Sequence, residues 1–112
     1  MKVSSYQIKV IIITSIVILL PILFGLLKWS ALPDQMPIHF QLSGQADGWS
    51  SKGFAVLGFP LILLAVQAVM FVALGFAAAK SNISNLIYTI VMSFIPLASI
   101  IGSIFIYTNS LK

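Results

Sequence analysis

Apolar residues fall in three long runs, and a single long polar interval separates the first run from the second. The first run, 10–27, carries no charge. As a helix rising about 1.5 Å per residue it covers about 27 Å, close to the ~30 Å hydrocarbon thickness of a bilayer. It is rich in β-branched side chains (Ile11, Ile12, Ile13, Ile16, Val17 and Ile18) and contains Pro21. In lipid an internal proline kinks a helix rather than ending it, because neighbouring groups satisfy the freed carbonyl. Lys2 and Lys9 before the run and Ser30 and Ala31 after it imitate a secretory leader. The apolar stretch is too long for one, and Trp29 spoils the small-x-small cleavage pattern, so the run is read as a retained span.

The second run, 54–79, has Gln67 as its only strongly polar side chain, and the third, 85–107, has Pro96 near its middle. The link at 80–84 is short, which predicts an antiparallel pairing of helices two and three. The expected architecture is an all-α membrane protein. It is a single three-span domain over 1–112, with an ordered extramembrane loop at 28–53 between helices 1 and 2.

Composition supports that class. The chain is 60% hydrophobic and 7% charged, with mean hydropathy +1.11. Soluble domains run at about 45–50% apolar and about 25% charged. Cysteine is absent, which excludes disulfides, thiolate metal sites and cysteine nucleophiles.

The net charge of +4 comes from six lysines set against Asp34 and Asp47. The lysines are scattered singly beside the apolar runs, so they flank spans and offer no nucleic-acid surface. For orientation the count is tied: Lys2, Lys9 and Lys80 lie on one side, and Lys28, Lys52 and Lys112 on the other. Two lysines precede the first helix and one directly follows it, which favours a cytoplasmic N-terminus and an extracellular loop. Trp29, Trp49 and Tyr107 fall on the loop side as an interfacial aromatic belt.

Within the spans, Gly75 with Ala79, Ala98 with Gly102, and Ser99 with Ser103 are small-xxx-small pairs. Such pairs favour packing of helix two on helix three, or on another copy. Gln67 is costly if it faces lipid. It reads either as a pore or ligand contact, or as an amide bonding a hydroxyl such as Ser93 or a backbone carbonyl across the bundle.

The interval 32–52 holds both acidic residues, the single histidine and Trp49. Pro33 and Pro37 bias their predecessors toward extended geometry. Ile38, Phe40 and Leu42 then alternate with His39 and Gln41, a strand-like period of two. Ser43-Gly44 and Asp47-Gly48 are turn pairs. The pattern predicts a short β-hairpin or compact extended segment on the helix ends, with Ile38, Phe40 and Trp49 packed downward or into the interface. Two strands alone are marginal in water and need that packing.

Asp34, His39 and Asp47 admit several readings. One histidine and two carboxylates fit a zinc site poorly, since such sites usually want more His or Cys. No serine has the context of a nucleophile. No catalytic residue, metal or cofactor is assigned. The plainer reading places the aspartates in Asx-type turns and bonds His39 to a neighbouring carboxylate. The remaining reading is recognition of a ligand or partner by Asp34, His39, Phe40, Asp47 and Trp49, on a frame set by Pro33, Pro37 and Gly44.

The run Leu32-Pro33-Asp34, then Pro37-x-His39-Phe40, then Gly44-x-x-Asp47-x-Trp49-x-x-Lys52 resembles the signature of the bacterial membrane family known as domain of unknown function 1648. That family also forms the N-terminal part of SdpI-type immunity proteins. The resemblance implies a multi-pass protein of the bacterial cytoplasmic membrane. In SdpI-type members it further implies protection of a producing cell from its own toxic peptide, coupled to sequestration of a repressor. SdpI-type proteins continue into further membrane helices. The expectation here is a short stand-alone form in contact with membrane lipids, with a toxic peptide as possible ligand and a homo-oligomer or partner membrane protein as possible assembly. The competing expectations are an accessory or oligomeric subunit of a membrane transporter and, less favoured, a metal-dependent membrane enzyme.

Overall fold

A computed structural model describes residues 2–111. Lys112, one of the charges in the orientation count, lies outside the described residues. Three helical segments, Ser5–Leu27, Phe54–Lys80 and Asn85–Ser110, are each long and apolar enough to cross a membrane. The chain is a multi-pass membrane protein of the expected class.

Helix α1, Ser5–Leu27, starts earlier than its apolar run because a capping box sets its end. The Ser4 hydroxyl accepts from the Gln7 amide at 3.1 Å, and the Gln7 side chain accepts from the Ser4 amide at 3.2 Å. Pro21 sits inside α1 without ending it. The second segment opens with a π-turn, Phe54–Gly58, and continues as α2, Phe59–Lys80. The Phe59 amide donates to the Phe54 carbonyl, a five-residue step. Pro60 has no N–H to offer four residues back, which disfavours the ordinary α register there. The third span is two helices, α3 Asn85–Met92 and α4 Phe94–Ser110, joined at Ser93. Pro96 again supplies the reason: the Met92 carbonyl, four residues earlier, loses its helical donor.

The interval between α1 and α2 folds as a two-stranded antiparallel hairpin, β1 Gln35–Phe40 and β2 Ala46–Ser51. The register pairs Gln35 with Ser51, Met36 with Ser50, Pro37 with Trp49, His39 with Gly48 and Phe40 with Ala46, and it shifts on both sides of His39. Gly44 turns the hairpin with φ of +90°, a conformation that favours glycine.

Three expectations change. Asp47-Gly48 is not a turn but lies within β2, where a Cβ on Gly48 would sit only 3.0 Å from the His39 Cβ. Leu42 does not continue the alternation, because the chain turns at that point and leaves it fully exposed. Of the two places expected for Trp49, the downward one is not taken: it stands opposite Pro37 and remains 57% exposed. Met36 takes the buried place instead.

The core has two centres. Under the hairpin, Leu32, Met36, Ala55, Val56, Ile106 and Tyr107 pack together, with Ile38, Phe40 and Phe59 against them. At the other end Val10, Tyr88 and Met92 form a second cluster. Between them α4 is tied to α1. The Ser99 hydroxyl donates to the Ile18 carbonyl at 2.8 Å, and the Tyr107 hydroxyl to the Pro21 carbonyl at 3.2 Å. Ser99 thus serves the α1–α4 contact rather than helix two, because a hydroxyl in a dry interface turns to a carbonyl in reach. Gly102 does face α2, where an added Cβ would lie 2.9 Å from the Phe59 ring.

Candidate functional site

The hairpin is held to the bundle on one face and open on the other. Met36, Ile38 and Phe40 point inward by the strand period, and the Phe40 ring meets Phe105 of α4 at 5.7 Å between centroids. At the base, the Lys52 amide donates to the Asp34 carbonyl at 2.9 Å. The Lys52 ammonium donates to the Trp29 carbonyl at 2.8 Å and stands 5.0 Å over the Trp29 ring. That cation–π contact fastens the hairpin to the single 3-10 turn, Trp29–Ala31, that follows α1. Pro37 is buried, whereas Pro33 is exposed.

The outer face carries His39, Asp47 and Trp49. Nδ1 of His39 lies 2.5 Å from Oδ1 of Asp47, and the two side chains are 75% and 34% exposed. A carboxylate only accepts, so Nδ1 carries the shared proton and Nε2 is left to face solvent. Asp34 is exposed at the hairpin base and contributes its backbone carbonyl there. Among the described residues no three of His, Cys, Asp and Glu gather as a metal site, so Asp34 does not join the His39–Asp47 pair. Phe40, grouped with the recognition residues from the sequence, belongs to the inner face. The outer arrangement is a hydrogen-bonded His–Asp pair and an indole displayed on a two-stranded support.

Gln67 is fully buried at the meeting of three helices. Its Nε2 donates to the Thr14 hydroxyl of α1 at 3.0 Å and to the Met92 carbonyl of α3 at 2.9 Å. The second bond satisfies the carbonyl that Pro96 deprives of a helical donor. Ser93, the hydroxyl considered for this role, donates to the Thr89 carbonyl instead. Nothing in the sequence marks Thr14 as the partner of Gln67. It lies 53 positions from Gln67, and its hydroxyl also satisfies the Val10 carbonyl at 2.7 Å. Among the described residues, Oε1 of Gln67 and the Tyr88 hydroxyl are buried polar atoms without a hydrogen-bond partner.

Bundle and hairpin together define a small membrane module: three spans, with a β-hairpin clamped over the ends of α1, the π-turn and α4. Residues 16–64 match the family described as Domain of unknown function (DUF1648), the family that the loop motif resembles. The match runs from mid-α1 through the hairpin and the π-turn to the first residues of α2, and it stops short of Gln67. No curated protein and no solved structure matches the chain.

Proposed function

We propose that this protein protects a bacterial cell against a membrane-active peptide, or senses one, through the outer face of its hairpin. The observation that carries the reading is the division of the hairpin into a packed face and a displayed one. Folding uses Met36, Ile38 and Phe40, while the motif residues His39, Asp47 and Trp49 are left available. Exposed aromatic and charged side chains on a rigid support suit recognition more than stability. The resemblance to the SdpI-type module supplies the kind of ligand.

The reading sets the protein in the cytoplasmic membrane with its N-terminus inside and the hairpin outside, and it assigns no catalytic step. Expression in a peptide-sensitive bacterium tests it. Survival in the peptide rises with the parent chain and returns to the vector level with Asp34, His39 and Asp47 all changed to Ala. Protection that persists in the triple variant, with normal membrane levels, removes the hairpin from the function.

A second reading, an accessory or oligomeric transporter subunit, is favoured by one feature. The second span is the least buried of the three, and Ala68, Val69, Val72 and Ala73 form a shallow groove on it. Small residues are what close helix–helix approach in lipid requires. Crosslinking in native membranes that yields only monomer counts against this reading.

A further inference from the structure

We propose that the tip of the hairpin, 41–45, is a lipid-inserted anchor, with the Leu42 side chain among acyl chains and acyl chains also filling the groove beneath it. The depth of the tip follows from the helix that it leans on. The third span, 26 residues long, measures about 39 Å at about 1.5 Å per residue, against ~30 Å of hydrocarbon. Set symmetrically, it leaves about three residues outside at each end. At the hairpin end these are Thr108, Asn109 and Ser110, which are also where the apolar run gives way to polar side chains. Phe105 and Gly102 therefore lie within the hydrocarbon.

The hairpin tip comes down to that level. Phe40 packs on Phe105, and Leu42 and Gly44 line a cavity of about 310 Å³ with Phe59, Gly102 and Phe105. The tip has the chemistry for such a place. No charged residue lies between His39 and Asp47, and those two hydrogen-bond each other on the outer face. Two bonds close the turn on itself: the Gln41 amide donates to the Gln45 carbonyl at 2.8 Å and the Gly44 amide to the Gln41 carbonyl at 2.9 Å. Each such bond lowers the cost of bringing the backbone to the lipid interface. In water the fully exposed Leu42 would be the one large apolar side chain at the crown of an otherwise polar turn. In the interface its burial is favourable.

The absence of cysteine makes a single labelled site straightforward. Leu42→Cys carrying a nitroxide, in the full chain reconstituted into phosphatidylcholine vesicles, is compared with Ile101→Cys on the lipid-facing side of α4 and Asn82→Cys in the link between α2 and α3. Collision rates with oxygen, which concentrates in lipid, and with a water-soluble nickel chelate are measured at each site. The expected result is an oxygen-over-nickel ratio at position 42 on the side of position 101, at a depth of about 5–10 Å below the phosphates. A nickel-dominated signal like that at position 82 overturns the proposal. Shielding from both reagents overturns it too, since protein rather than lipid would then cover the tip. Because the Leu42 side chain is fully exposed, the substitution leaves the fold intact, and dichroism unchanged from the parent verifies that.

Discussion

The Gln67 junction and the His39–Asp47 pair are both polar contacts in a chain that has few polar side chains, yet they stand in opposite surroundings. Gln67 is sealed among three helices and bonds a hydroxyl and a carbonyl from two of them. His39 and Asp47 lie at the surface of a hairpin and bond only each other. In the dry junction, loss of the amide strands a carbonyl that Pro96 has already left without a helical donor, so the contact holds helices in place. At the wet surface water replaces either partner at little cost, so the contact contributes little to folding. Polar residues of this protein therefore divide by surroundings: those in the spans fix the bundle, and those on the outer strand face are available to a partner.

The division is tested most severely within one strand. Met36 and His39 belong to β1, one fully buried and one exposed. Met36→Ala removes the side chain that seats the hairpin on Leu32, Val56 and Ile106, at a cost of about 2–5 kcal/mol. The expected result is a hairpin that proteases cut while the helical dichroism persists. Parental protease resistance would mean that the inner face is not what holds it. Gly25→Ala follows at about 1–3 kcal/mol, because the added methyl overlaps the Tyr107 hydroxyl and lies 2.5 Å from Val56 Cγ1. Its denaturation midpoint in detergent should fall, and the bond from Tyr107 to the Pro21 carbonyl should be lost with it. Gln67→Leu comes third, at about 1–2 kcal/mol. Combined with Thr14→Val in a double-mutant cycle it should show a coupling of about 0.6–1.7 kcal/mol. Purely additive effects would show that the three-helix junction is not a unit.

The spans were legible from hydropathy alone, because a run of apolar residues longer than a bilayer core has few other places to go. The hairpin was legible from Pro33, Pro37, Gly44 and the alternation at 38–40. Its details were not. Leu42 has the right parity for the inner face but falls where the chain has already begun to turn, and parity carries no information about where a strand ends. Trp49 reads from the sequence as packed downward or set in the interface, and the register with Pro37 excludes the first by placing it on the outer side. Gln67 announced itself as a lone amide in a span, whereas Thr14 did not, since one hydroxyl among isoleucines is ordinary until a distant helix is laid against it. The early start of α1 was written in Ser4 and Gln7, outside the apolar run that drew its expected boundary.

The smallest expected effect on stability belongs to the residues with the largest expected effect on function. His39→Ala or Asp47→Ala breaks an exposed hydrogen-bonded pair, and such surface contacts typically contribute less than about 1 kcal/mol. Each variant should insert, fold and unfold within that margin of the parent. Protection against a membrane-active peptide should nevertheless fall in both, and restoring a hydrogen-bonded pair with His39→Gln should leave stability unchanged while recovering recognition only in part. The opposite pattern, a large loss of stability with protection retained, would place the pair among the structural contacts with Gln67. The contrast between wet face and dry junction would then have to be drawn elsewhere on the hairpin, with Trp49 as the next residue to test, since it alone offers a large aromatic surface on the same outer side.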